Sequence, residues 1–244
     1  MAVLLLILGT VFATSILSGV IGMAGGIILM AVLVSVQSVA AAMIVHGTVQ
    51  ATANGSRAFF LRQHIVWRIL PGYLLGAALA LASFITVALV PDPAVILLTI
   101  GAFPWLARAL RSLHGLDITW GATPVACGAL VTSAQLFAGA SGPVLDVFYL
   151  NARLNRRQII ASKAVTQTLG HLLKLVYYGL IVGVAEAIPG WFLAVAVAAA
   201  VFGTRIGTLL LKHIDDTQFR RVSGQVILAL GALCMVQGGR TLLA

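Results

Sequence analysis

The sequence predicts an all-α polytopic membrane protein of two inverted repeats. Each repeat is a glycine-broken re-entrant helical hairpin followed by about three transmembrane helices. Three observations lead there. The 244 residues are 61% hydrophobic and 9% charged, with a mean hydropathy of +1.08, a composition far beyond that of a soluble domain. Two apolar runs are too long for one crossing, and both carry a glycine cluster: Gly19-Val20-Ile21-Gly22-Met23-Ala24-Gly25-Gly26 and Gly139-Ala140-Ser141-Gly142-Pro143. Polar residues also recur inside apolar runs at a constant offset of 117 residues.

In order, the apolar segments are 2–36, 40–61, 69–90, 94–110, 121–150, 158–183, 190–211 and 222–243. Most match the roughly 17–25 residues of one span. The run from Val3 lacks the basic start of a signal peptide, and its apolar character continues past Leu33, so it is expected to belong to the folded protein. Arg62, His64 and Arg68 follow segment two, and Arg108, Arg111 and His114 follow segment four. Arg153, Arg156 and Arg157 follow segment five, and Lys212, His213, Arg220 and Arg221 follow segment seven. The opposite loops hold Pro91-Asp92-Pro93, and Glu186 ahead of Pro189. The positive-inside rule therefore puts the basic loops in the cytoplasm. The same clustering explains the net charge of +9 without a nucleic-acid partner.

Segment five then begins and ends on the cytoplasmic side. Its 30 residues are too few for two crossings of about 20 residues each. A re-entrant hairpin turning at Gly139–Pro143 satisfies both constraints. Working backward, segment one turns likewise at Gly22–Gly26. Three further crossings per half are an odd number, so the halves, 1–115 and 116–244, are inverted relative to each other. The 117-residue offset aligns Gly22 with Gly139, Gly25 with Gly142, His46 with Lys163, Gln50 with Gln167, Asn54 with His171 and Arg57 with Lys174. Inverted repeats with broken helices near the midplane are a recurrent secondary-transporter design.

His46, Gln50, Asn54 and Arg57 are spaced 4, 4 and 3, one face of a helix, and Lys163, Gln167, His171 and Lys174 repeat that spacing. Lipid cannot satisfy such a stripe, so it faces the bundle interior or water. Lys174 lies well inside segment six, where a lysine costs about 2.5–3.5 kcal/mol on insertion scales. Bland readings stand beside the functional one. Arg57 and Lys163 are near segment ends and could snorkel to the interface. Gln50 and Gln167 could be interhelical hydrogen-bond glue, and His171 a satisfied interior group. Cys127 and Cys234 lack metal-ligand spacing and read as small buried residues. Nothing in the pattern calls for a cofactor or a metal.

The inventory suits a small anion. Glycine breaks expose backbone N–H groups, and helix N-termini carry partial positive charge. The expected binding set is Gly22, Met23, Ala24, Gly25 and Gly26 at the first break and Gly139, Ala140, Ser141 and Gly142 at the second. His46, Gln50, Asn54, Gln167, His171 and Lys174 complete it. Arg57 and Lys163 are candidate charges nearby, and Asp146 and His171 are candidate proton carriers.

The motifs Gly19-x-x-Gly22-x-x-Gly25-Gly26 and Gly139-x-x-Gly142-Pro143, in two halves of a chain this long, resemble the TauE/SafE sulfite-exporter family over essentially the whole length. The resemblance implies transport of sulfite, or of sulfonates such as sulfoacetate, across the bacterial inner membrane. Alternating access around the two breaks is the expected mechanism, and a homodimer is left open. An anion channel on the same fold is the nearest alternative. Gly139-Ala140-Ser141-Gly142 also matches the Gly-x-Ser-Gly of rhomboid intramembrane proteases, with His171 as nominal base. That histidine comes one segment too early, and the first-half echo has Ala24 in place of Ser141, as a structural turn would.

Overall fold

The computed structural model describes residues 2–21, 24–110, 116–149, 152–183, 188–211 and 216–243, with the backbone alone at Ile21, Leu211 and 216–223. The described residues are helical, with no strand among them. Segment one divides into α1 (Ala2–Ile21) and α2 (Ala24–Val36). Gly22 and Met23, at the expected turn, lie outside the described residues. After α2 come α3 (Val39–Phe60), α4 (Leu70–Val87) and α5 (Pro93–Ala109). Segment five divides into α6 (Thr123–Ala138) and α7 (Gly142–Tyr149). The chain ends with α8 (Arg156–Val176), α9 (Gly190–Leu211) and α10 (Asp216–Leu243).

Local chemistry fixes these boundaries. The Ser38 side chain caps α3 by accepting from the Ala41 N–H, and Asp92 caps α5 by accepting from Ala94 at 2.8 Å, with Pro93 opening the helix. At α8, Asn155 and Gln158 form a reciprocal capping box, each bond 3.0 Å. Two boundaries depart from the apolar segments. α8 runs on into a π-helical stretch, Tyr177–Val182. α10 starts at Asp216, six residues before the apolar run, because a helix can form through the polar 216–221 stretch while hydropathy marks only its membrane part.

Among the described residues, four helices are long and apolar enough to cross a membrane, over Ala2–Val20, Trp67–Val87, Gly190–Leu210 and Gly224–Leu243. Trp67, Trp105, Trp120 and Trp191 are all exposed, the placement of interfacial anchors. α3 and α8 have 22 and 21 residues, about 32 Å each. They are long enough to cross but not apolar enough, since each gives one face to its polar stripe. α2 and α7, at 13 and 8 residues, are shorter than the roughly 30 Å hydrocarbon core.

The helices pack in a definite pattern. α1 lies on α2 and on α9; α4 lies on α6; α5 lies on α10; and α3 lies on α8 at the centre. Further pairs join α6 with α7, α3 with α9, α4 with α8, α5 with α7 and α2 with α10. The α1–α9 contact is backbone-close: a Cβ added to Gly19 would come within 2.8 Å of the Gly207 Cα, the small-residue packing that membrane helices use in place of a hydrophobic drive. Cores fill the remaining space, one around Leu29, Met30, Met43 and Phe192, another around Tyr73, Cys127 and Phe148.

Candidate functional site

α3 and α8 bring the two polar stripes face to face, and the two breaks close over them. At the second break α6 ends on Gly139, whose φ of +77° suits glycine, and whose N–H bonds the Gln135 carbonyl at 2.9 Å. Tyr178, from the π stretch, donates to the Leu136 carbonyl at 2.8 Å and so satisfies another group of the last turn. Ser141 precedes α7 and donates its hydroxyl to Gln135 Oε1 at 2.8 Å. At the first break, Gly25 is pressed against the Thr14 carbonyl and the Ser18 hydroxyl of α1, which leaves α2 no room for a side chain there.

Between the breaks lies a cavity of about 40 Å³. One water needs about 10–15 Å³ on this scale, so the space holds about three waters or one small oxyanion. α2 supplies Gly26 and Ile27 to its wall, and the second break supplies Ala140, Ser141, Gly142 and Pro143. The stripes supply His46, Gln50, Asn54 and Arg57 from α3, and Gln167 and His171 from α8. The first turns of α2 and α7 thus both reach the same space.

Hydrogen-bonding capacity is left over here. Among the described residues, the side-chain amides of Gln50 and Gln167 have no partner within the protein. His171 is buried and its Nδ1 is unpartnered. The Asn54 amide donates to the Gln50 carbonyl at 3.0 Å, leaving its own oxygen free to accept. Arg57 has no carboxylate partner among the described residues; its guanidinium reaches the Ser18 carbonyl at 3.5 Å. The wall is therefore rich in unspent donors, carries one guanidinium and includes no carboxylate.

Several predicted residues sit elsewhere. Lys174 is fully buried and is not part of the cavity wall; its Nζ bonds the Gly139 carbonyl at 2.9 Å and His46 Nδ1 at 2.8 Å. The other nitrogen of His46 meets the Gly26 carbonyl at 3.0 Å. Lys163 is paired with Asp146. Ala24 and Gly25 are buried, Gly25 against Thr14 and Ser18 of α1, and neither they nor Gly139 line the cavity. No hydrogen bond joins Ser141 to His171, so the pair does not have a nucleophile–base geometry.

Three residues that shape the site were not in the expected binding set. Ile27 and Pro143 add apolar wall, and Gln135 orients Ser141 while its own Nε2 lies buried without a partner. The signal for Gln135 was present: an amide inside an apolar run, six residues before Ser141. The 117-residue offset did not mark it, because its counterpart is Ser18.

The family model described as "Sulfite exporter TauE/SafE" matches residues 6–234. No curated protein and no solved structure shows a match.

Proposed function

This chain belongs to the TauE/SafE sulfite exporter family, and from that premise we propose that it carries a small sulfur-containing oxyanion, sulfite or a sulfonate such as sulfoacetate, by alternating access through the cavity between the two breaks. One observation carries the reading: the cavity wall offers unpartnered amides, an imidazole and a guanidinium, and no carboxylate. Those groups donate to an oxyanion and would repel nothing about it. A bare cation would favour carboxylates, and this wall has none.

The proposed contacts are Gln50, Asn54, Arg57, Ser141, Gln167 and His171, with the helix starts at Gly26 and Gly142 adding partial positive charge. Lys174 acts from behind, through its bond to His46 in the wall. For proton coupling, His171 is better placed than Asp146, since it faces the cavity while Asp146 is engaged by Lys163. The helix packing supports two inverted repeats, 1–115 and 116–244. Exchanging α1–α5 for α6–α10 turns α1–α9 into α6–α4, α1–α2 into α6–α7 and α5–α7 into α10–α2, all observed pairs, while α3–α8 and α5–α10 map onto themselves. The short α2 and α7 support re-entrant hairpins. The basic loops support an inner-membrane protein with Arg62, Arg68, Arg108 and Arg153 facing the cytoplasm.

The test is uptake of labelled sulfite and sulfoacetate into proteoliposomes, with and without a pH gradient, for the wild type and Ser141→Ala. Saturable flux that persists in the serine variant is expected. Absence of flux for both anions would remove the substrate assignment, and flux without saturation would favour a channel.

A further inference from the structure

Lys174 is the largest unexplained expense in the molecule. A fully buried lysine with no carboxylate partner among the described residues must hold its ammonium on neutral acceptors alone. The two it has are telling. One is the carbonyl of Gly139, the residue on which α6 ends; the other is His46 Nδ1, whose ring continues to the carbonyl of Gly26, in the first turn of α2. The chain Gly26 carbonyl, His46, Lys174, Gly139 carbonyl therefore ties one break to the other, across α3 and α8. Besides the packing of the wall, it joins two elements that alternating access would have to move apart.

With Lys174 as an ammonium, the tie has one workable arrangement of hydrogens. The Lys174 ammonium can only donate, so His46 Nδ1 must accept, and the imidazole's one hydrogen sits on Nε2, where it donates to Gly26. A proton added to Nδ1 would occupy the lone pair that Lys174 uses. The two groups would then both be donors, both cationic and in contact. His171, whose ring centroid is 5.5 Å from that of His46, adds a third titratable group to the cluster.

We infer that the Gly26–His46–Lys174–Gly139 chain is a latch that holds the two breaks closed while His46 is neutral and releases them when His46 is protonated from solution. Lys174 is on this account a positioning residue rather than an anion contact. The groups facing His46 are Lys174 and His171 on α8; α2 offers it only the Gly26 carbonyl and carries no ionisable side chain. Farther along the packed elements stand Arg57 on α3 itself, Lys163 on α8, Tyr177 and Tyr178 in the π stretch, and Arg205 on α9. The carboxylate packed against α8, Asp146 on α7, is already engaged by Lys163, so an anion in the cavity is the counter-charge available to a protonated His46. Anion occupancy and latch release are thereby linked in sign, each favouring the other. The inference rests on the transport reading for its purpose but not for its test.

Amide hydrogen exchange of the full-length protein in proteoliposomes, without any anion substrate, reads the latch directly. The segments around Gly26 and Gly139 are followed at about pH 8 and about pH 5, on either side of an ordinary histidine's range, after correction for intrinsic exchange. In the wild type, exchange at both segments is expected to rise on the order of tenfold in acid. His46→Gln keeps an acceptor for Lys174 and a donor for Gly26 but cannot take up the proton, so both segments should stay protected at either pH. Lys174→Met should leave both open at either pH. Equal wild-type protection at the two pH values, or acid opening in His46→Gln as large as in the wild type, would overturn the latch. Either result leaves the uptake experiment to judge transport independently, and a failure to carry sulfite or sulfoacetate would leave the exchange result standing.

Discussion

The stripe on α3 and the stripe on α8 place polar residues at the same intervals, yet all four α3 residues reach the cavity and only Gln167 and His171 of α8 do. The paired positions Arg57 and Lys174 diverge most. Arg57 stands in the wall with no carboxylate partner among the described residues, whereas its counterpart is sealed behind the wall and spent on backbone and imidazole. Lys163, the counterpart of His46, is likewise spent, on Asp146. α2 has no acid to match Asp146; the equivalent position is Leu29. The same spacing thus meets two surroundings: the α3 stripe lines the cavity at all four positions, and the α8 stripe is divided between the cavity and the packing behind it.

The strongest way to break this division is to remove the charge that faces the cavity. Arg57→Ala should weaken anion binding by roughly tenfold to a hundredfold, the about 1.5–3 kcal/mol of a hydrogen bond to a charged group, while thermal unfolding in detergent changes little. Unchanged affinity in a folded Arg57→Ala protein would return the role to Lys174. A comparison of the breaks comes next. Gly139→Ala places a side chain at φ +77° and should cost about 1–2 kcal/mol of stability, seen as earlier unfolding. Gly26→Ala meets instead the mobile end of Gln50, at 3.0 Å. It should fold normally and bind the anion less well, because the amide is pushed from its place. Equal destabilisation by both substitutions would mean that the breaks do not differ. The smallest effect sharpens the one pair that is used alike. Gln50→Ala and Gln167→Ala should each reduce affinity about three- to tenfold, matching the about 0.5–1.5 kcal/mol of a neutral hydrogen bond, and titration calorimetry would show whether the two losses are similar.

Much of this was legible in residues alone. Glycine clusters inside over-long apolar runs located both interruptions, and the 4, 4, 3 spacing put His46, Gln50, Asn54 and Arg57 on one inward face. Spacing could not say what an inward face meets. Lys174 and Gln167 lie on the same stripe, but one turns to the cavity and the other to the end of α6, a difference set by how α7 folds back rather than by α8's own sequence. Likewise Asp146 pairs with Lys163 because α7 and α8 happen to pack together. The π stretch at Tyr177–Val182 left no periodic signature, since one extra residue in a turn does not disturb apolarity when the whole run is apolar. Its effect is local but consequential, because it carries Tyr178 to the Leu136 carbonyl beside the second break.

The pairing of α1 with α9, sealed at Gly19 and Gly207, has a consequence for how the molecule comes into being. Roughly 170 residues separate the two helices in the chain, and a ribosome adding about 5–20 residues per second needs some 10–35 s to bridge them. During that interval the glycine face of α1 waits without its eventual neighbour, while α4 receives α6 much sooner. Birth order therefore leaves α1 resting on α2 alone for most of that interval, and a nascent protein halted before α9 emerges would be one whose α1 still shows its glycine face.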